Sequence, residues 1–140
     1  MSSNHKTKAA LSQETANPRQ QAAKAFKEAD SAYRTIFDLS SDGMLVGRFS
    51  GRLNGNKFMD ANEKICEMLG YTKEEFLNLS IPDLHPKESL SYIIQKAEKI
   101  INNEISVAQN IPMLRKDGSF LFTDISGRTI KLNGKKHLVV

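Results

Sequence analysis

The sequence predicts an α+β domain in which helices cover one face of a five-stranded antiparallel sheet, preceded by an N-terminal amphipathic helix. Three residue pairs that favour tight hairpin turns separate stretches with strand patterning, namely Asn54-Gly55, Asp117-Gly118 and Asn133-Gly134. Segments with helical caps and helical periodicity stand between the second and third predicted strands. Because hairpins pair their strands antiparallel, this helical block must cover one face of the sheet.

Length and composition fit one domain with a polar extension. The chain has 140 residues, of which 39% are hydrophobic and 26% charged. No apolar run approaches the ~20 residues of a membrane span, and the first residues lack the apolar core of a signal peptide. We therefore expect a cytoplasmic location without membrane contact in this part of the protein. Cys66 is the only cysteine, which excludes an internal disulfide.

The net charge of +4 is mild, but basic residues collect after Leu114. Such a cluster is one mark of nucleic-acid binding. No helix-turn-helix or zinc-ligand spacing accompanies it. We interpret these side chains as solvated strand ends and expect no nucleic-acid partner. They are Arg115, Lys116, Arg128, Lys131, Lys135 and Lys136.

The first 42 residues predict a tail followed by a helix. Residues 1–16 are polar and lack periodicity, so we expect a disordered tail. Asn17 followed by Pro18 is typical of a helix start, and residues 17–42 are interpreted as a helical extension that serves dimerisation or signalling. Apolar residues recur in it at alternating spacings of four and three, as in a coiled coil. We expect a homodimer whose seam contains Ala22, Phe26, Ala29, Tyr33 and Ile36.

Two strands open the domain itself, which we place at residues 43–140. Met44–Phe49 predicts the first strand and Lys57–Met59 a short second one. The Asn54-Gly55 pair between them predicts a hairpin.

Two short helices follow the second strand. Asp60 with Glu63 three residues later predicts a capping box at the start of the first helix. Gly70 is placed to end that helix, because glycine accepts the left-handed conformation beyond a helix C-terminus. Thr72 with Glu75 predicts a second capping box and therefore a second helix.

A longer helix and three strands complete the prediction. The helix follows Pro86 and runs to about Asn103, since its apolar residues form one continuous face. Pro112 has no backbone N–H to donate, so the third strand should lie at an edge of the sheet. The last three predicted strands are Ser106–Arg115, Phe120–Leu132 and Lys135–Val140.

Several short runs, taken in order, resemble the PAS-domain family of sensory modules. They are Tyr33–Phe37, Ser41–Met44, Asn62-Glu63, Met68–Phe76, Asp83–Pro86 and Arg115–Ser119. The resemblance covers residues 30 to 140 and implies a PAS-like sheet whose third strand is an edge and whose last strand pairs beside the first. It also implies a sensory or relay module of a larger signal-transduction protein, such as a histidine kinase of a two-component system, joined covalently to an output domain.

Candidate catalytic and cofactor residues are few. No nucleophile with a base, carboxylate pair or metal-ligand cluster is evident, so we expect no enzymatic activity and no metal within these residues. Light-sensing relatives carry a flavin-reactive cysteine in an Asn-Cys-Arg-Phe-Leu-Gln run, which the surroundings of Cys66 do not match. Haem-binding relatives use a histidine on the long helix, where this chain has none. We expect neither haem nor a covalent flavin, a packing role for Cys66, and a bond from His85 to nearby backbone.

The helices and the inner side of the sheet carry apolar faces, and the PAS resemblance implies that such faces enclose a pocket. Thr123 and Gln109 are the polar groups expected to orient a ligand. The expected lining is Ile65, Met68, Leu69, Ile94, Ala97, Ile101, Gln109, Leu121, Thr123 and Ile125. Two alternatives stay open: a sensor of a small apolar ligand, and a purely structural dimerisation module whose core is filled.

Overall fold

A computed structural model describes residues 17–48, 56–132 and 134–140 of the chain. These described residues fall into two compact units, which divide between Phe37 and Asp38. The predicted tail, the Asn54-Gly55 hairpin and Asn133 of the last turn lie outside the described residues.

Helix α1 spans Pro18–Leu39, inside the predicted helical extension of residues 17–42. The side chain of Asn17 accepts a hydrogen bond from the backbone N–H of Arg19 at 2.9 Å, which satisfies one of the free donors at the helix start. Phe26 and Ile36 are each 72% exposed, so the predicted seam presents large apolar side chains on the surface of the helix.

Six strands, all paired antiparallel, form the described sheet structure. A four-stranded sheet has the order β2-β1-β6-β5, and β3 pairs with β4 in a two-stranded sheet. The last strand β6 therefore lies beside β1, as the PAS resemblance implies. The strands are β1 (Leu45–Arg48), β2 (Phe58–Ala61), β3 (Val107–Leu114), β4 (Phe120–Ser126), β5 (Arg128–Leu132) and β6 (Lys135–Val139).

The predicted fourth strand, Phe120–Leu132, is in fact divided at Gly127 into β4 and β5. The N–H of Gly127 donates to the carbonyl of Ser106 at 3.0 Å. A Cβ at Gly127 would lie 2.7 Å from Val140 Cγ1 and 2.9 Å from Ile100 Cγ2, so only glycine allows this close approach. The single five-stranded sheet of the prediction is therefore built as four strands plus two.

Strand β3 pairs with β4 alone among the described strands, which confirms the predicted edge position. Pro112 lies opposite Phe122 in this pair. The missing N–H of proline costs no ladder bond there, because no second strand pairs with β3 among the described residues.

The helical block contains three α-helices and two short 3₁₀ segments. Gly70 ends α2 with a φ of 81°, and Thr72 and Glu75 form the predicted reciprocal capping box of α3. The helices are α2 (Glu63–Leu69), α3 (Lys73–Phe76) and α4 (Leu90–Ile101), and the 3₁₀ segments are Ile81–Leu84 and Lys87–Ser89.

The predicted capping box of Asp60 with Glu63 is wrong. Asp60 lies inside β2, paired with Val46, and its carboxylate contacts Lys73 at 3.2 Å. The N-cap of α2 is Asn62, whose side chain accepts from Ile65 N. The strand continues through Ala61, so the helix starts two residues later than the first available cap residue suggests.

Two buried apolar clusters hold the sheet and helices together. The first joins α2 and α3 to β1, β2 and β3 through Leu45, Phe58, Ala61, Ile65, Leu69, Phe76, Leu84 and Met113. The second joins α4 to β3 and β6 through Ile93, Ile100, Ile101, Ala108, Ile111 and Leu138.

Candidate functional site

A small apolar cavity of about 80 Å³ lies against the inner side of the sheet. A single water needs only roughly 10–15 Å³ of such volume, so this space has room for a ligand of several heavy atoms. We call it the sheet cavity. It is lined by Leu45, Gly47, Arg48, Asn56, Phe58, Ile81, Leu84, His85, Met113, Ile125, Leu138 and Val140.

Gly47 contributes to this space because it puts no side chain into the wall. It pairs with Phe58 on one side and Leu138 on the other, next to an irregularity in the register of β1 with β2. A Cβ added at Gly47 would meet only Phe58, at 3.8 Å, an ordinary contact distance. There is therefore space for a side chain at this position, and a larger residue there is expected to occupy part of the cavity.

His85 is the buried titratable residue in the cavity wall. The residue is 6% exposed, and its Nδ1 lies 2.8 Å from the carbonyl oxygen of Pro112. Burial lowers the pKa of His85, against the smaller opposing effect of that carbonyl, so the neutral ring is favoured at neutral pH. The bond to backbone that the sequence analysis expected is confirmed, and it ties the end of the first 3₁₀ segment to edge strand β3.

Asn62 holds the entry to β1 against the start of α2. It is fully buried; its Oδ1 accepts from Met44 N at 2.9 Å and from Ile65 N at 3.0 Å. Its Nδ2 donates to the carbonyl of Asp42 at 2.9 Å. This role of Asn62 was not predicted from the sequence, although asparagine is among the best N-cap residues and was itself a usable signal.

The turn between β3 and β4 docks on the helical block. The N–H of Lys116 donates to the carbonyl of Leu69 at 2.8 Å, and Arg115 Nε donates to the carbonyl of Met68 at 3.3 Å. Lys116 Nζ also pairs with Glu75 at 2.7 Å, and this hydrogen bond lowers the pKa of the Glu75 carboxyl. Two of the clustered basic residues thus make contacts within the domain.

The residues predicted to line a pocket fall into separate places. Ile125 alone lines the sheet cavity, whereas a larger, more open groove of about 420 Å³ is bordered by Ile65, Met68, Thr123 and Ile125. Leu69 is buried and Leu121 half-buried in the first apolar cluster, and Ile94, Ala97 and Ile101 belong to the second.

The two polar groups expected to orient a ligand are not in the wall of the sheet cavity. Gln109 is exposed on β3, and Thr123 Oγ1 donates to the carbonyl of Ile111 at 3.2 Å. The wall instead contains Gly47 and His85, which the sequence analysis did not place there. Their lining partners come from five strands and one 3₁₀ segment, and no local pattern links such distant positions.

Cys66 is half-buried on α2. Burial raises the pKa of its thiol, and the nearby carboxylates of Glu74 and Asp38 raise it further, so the unreactive thiol form prevails at neutral pH. Within residues 17–48, 56–132 and 134–140, no group of three or more His, Cys, Asp or Glu side chains is arranged to hold a metal ion. In the same part of the chain, no helix combines the length and apolar character needed to cross a membrane.

The comparison with protein families decides the identity of this fold. A family model described as a PAS domain matches residues 41–140, which is most of the chain. The chain belongs to the PAS-domain family. The PAS match begins in the Ser41–Met44 segment that Asn62 holds and includes every strand and every residue of the sheet cavity. PAS domains are sensory modules, so the cavity lies in a sensor domain.

Relatives of this PAS domain occur in signalling proteins. The methyl sulfide methyltransferase-associated sensor of Methanosarcina acetivorans is 33% identical over 116 residues, covering 83% of this chain and 11% of that protein. The PAS domain of an HTR-like protein from Haloarcula marismortui matches with a TM-score of 0.68 and 20% identity, covering 86% of this chain and 94% of that one. A domain of a sensory box sensor histidine kinase/response regulator from Geobacter sulfurreducens matches with a TM-score of 0.63 and 23% identity, covering 79% and 91%. The chain spans about a tenth or less of the length of the curated relatives it matches.

Proposed function

We propose that this PAS domain is a sensory module of a larger signal-transduction protein, a histidine kinase or similar regulator, and that it binds a small, mostly apolar ligand in the sheet cavity. The observation that carries the proposal is the cavity itself, which is large enough for several heavy atoms and lined mainly by aliphatic and aromatic side chains. The much greater length of the curated relatives supports a place beside covalently linked output domains.

The proposed ligand is neither haem nor a covalently attached flavin. The long helix α4 carries no histidine to ligate iron, and Cys66 has the wrong neighbours and a raised thiol pKa. The sheet cavity, at about 80 Å³, suits a molecule much smaller than either ring system. We also propose that these residues carry no catalytic activity and that any enzymatic output belongs to another domain.

Signal transfer from the cavity would use the strands that form its wall. Leu45 and Val140 line the cavity and exchange two backbone hydrogen bonds, of 2.8 and 3.0 Å, between β1 and the end of β6. Just before β1, Met44 is bonded to Asn62, and Asp38 in the last turn of α1 accepts from the N–H of Glu63 at 3.3 Å. A ligand that shifts β1 would therefore act on the end of α1 and bias a two-state equilibrium there.

A second proposed role of α1 is homodimerisation through its apolar seam. The exposure of Phe26, Tyr33 and Ile36 leaves a surface of the kind that paired helices bury. A purely structural dimerisation module with a filled core is the competing function. The sheet cavity argues against the filled core, but it has no bearing on dimerisation.

Substitution of Gly47 tests ligand binding. We expect methyl resonances of Leu45, Leu138 and Val140 to shift when benzene is added to the 140-residue chain, because these side chains line the cavity. Gly47→Ala should weaken these shifts and Gly47→Leu should abolish them, with little loss of stability, because the Cβ itself has ordinary contacts. Lys131→Leu, on the exposed part of β5, is the matched control and should leave binding unchanged. Benzene shifts that persist unaltered in Gly47→Leu would show that the site lies elsewhere.

A further inference from the structure

The hydrogen bond of His85 fixes which of its ring nitrogens carries the proton. Nδ1 lies 2.8 Å from the carbonyl oxygen of Pro112. A carbonyl oxygen only accepts hydrogen bonds, so Nδ1 must be the donor. A neutral imidazole carries one N–H, which makes Nε2 of His85 a hydrogen-bond acceptor with a free lone pair.

The acceptor nitrogen of His85 has no protein partner among the described residues. The bond to Pro112 is the only hydrogen bond of this ring there. Among the described residues, every side-chain nitrogen or oxygen that is fully enclosed has a hydrogen-bond partner. Nε2 has no partner, so it is not fully enclosed and must border open space. His85 is 6% exposed and lines the sheet cavity. Nε2 is thus an acceptor that a molecule inside can reach, next to the polar side chains of Arg48 and Asn56 in the same wall.

We propose that the sheet cavity takes a small aliphatic alcohol or similar molecule with one hydrogen-bond donor, whose hydroxyl donates to His85 Nε2 while its carbon atoms contact the apolar wall. This inference deepens the proposed ligand-binding function and rests on it. A molecule that only accepts hydrogen bonds would place its oxygen against the lone pair of Nε2, and two acceptors form no hydrogen bond with each other. Selection in the cavity therefore favours a donor attached to an apolar body.

The same bond would connect the ligand to the sheet edge. His85 links the proposed ligand hydroxyl on one ring nitrogen to the carbonyl of Pro112 in β3 on the other. Hydrogen bonds in such a chain polarise and strengthen one another. Occupation of the cavity is thus expected to strengthen the tie between the first 3₁₀ segment and β3, a change that an apolar ligand does not produce.

Isopropanol and acetone form the matched pair of probes, since they share a carbon skeleton and only isopropanol carries a donor. In NMR titrations of the 140-residue chain, both should shift the methyl resonances of Leu45, Leu138 and Val140. We expect isopropanol to bind roughly three- to tenfold more tightly than acetone, which is the usual range for one hydrogen bond of this kind. Only isopropanol should move the ¹⁵N resonance of His85 Nε2.

His85→Asn provides the matched variant. An asparagine amide nitrogen takes the place of Nδ1 and still donates to Pro112, but no atom replaces Nε2. The preference for isopropanol should disappear in this variant, while the amide resonances of β3 stay in place. If the unmodified chain binds both probes equally, or if His85→Asn retains the preference, the hydrogen-bond inference is overturned although the cavity still binds. If neither probe moves the cavity methyls, the proposed ligand-binding function fails together with it.

Discussion

Replacing Asn62 with alanine is expected to destabilise the PAS domain by about 3 kcal/mol. The fully buried amide serves three backbone groups at once, the N–H of Met44, the N–H of Ile65 and the carbonyl of Asp42. Its loss removes the cap of α2 and leaves polar groups beside it without partners. Each of these effects alone costs about 1 kcal/mol or more.

Urea unfolding of matched asparagine variants measures this effect. Asn62→Asp keeps the accepting oxygen but cannot donate to the Asp42 carbonyl, so an intermediate loss is expected. Asn78→Ala removes a side chain that is exposed and bonded only to the carbonyl of Glu74, and should cost less than about 0.5 kcal/mol. If Asn62→Ala lowers the free energy of unfolding by no more than Asn78→Ala does, then Asn62 does not hold the entry to β1 against the start of α2.

Replacing Phe26 and Ile36 together with glutamate is expected to convert the proposed homodimer into monomers. Each of these side chains is 72% exposed in the single chain, and full burial of one contributes about 1.5–3 kcal/mol. Glutamate at the seam would also place charge in a desolvated interface. We expect the dissociation constant of the dimer to rise at least about a hundredfold.

Analytical ultracentrifugation of the 140-residue chain checks this prediction. Gln20→Glu with Ser31→Glu adds the same charge on the opposite side of α1, at exposed positions, and should leave the dimer intact. If the unmodified chain is a monomer at high micromolar concentration, α1 does not form a dimer interface. The same conclusion follows if the two double variants have equal dissociation constants.

Local signals predicted those parts of the fold that depend on a few neighbouring residues. The left-handed Gly70 and the edge position of Pro112 each follow from the chemistry of one residue type, and the Thr72–Glu75 box follows from two residue types three positions apart. The start of α2 did not, because both Asp60 and Asn62 are good caps. Only the pairing of Asp60 with Val46 shows that the strand still continues at that point.

Tertiary contacts decided what the sequence could not show. Gly127 carried a known signal for a break or a close approach within a strand, but the reason lies in the distant side chains of Ile100 and Val140. The bond of His85 to backbone was predictable from its place in a loop, whereas its position in a cavity wall was not. A cavity is the volume left after all elements have packed, so helical and strand periodicity do not indicate it.

Xenon binding tests most directly whether this PAS domain contains a ligand cavity. Apolar cavities of sufficient size take up xenon, so a crystal of the chain under xenon pressure should show a peak between Leu45, Ile81 and Leu138. The peak should be absent in Gly47→Leu and present in Lys131→Leu. If side chains fill this space in the unmodified protein and no xenon binds there, ligand binding in the sheet cavity is contradicted. That result would favour the purely structural dimerisation module.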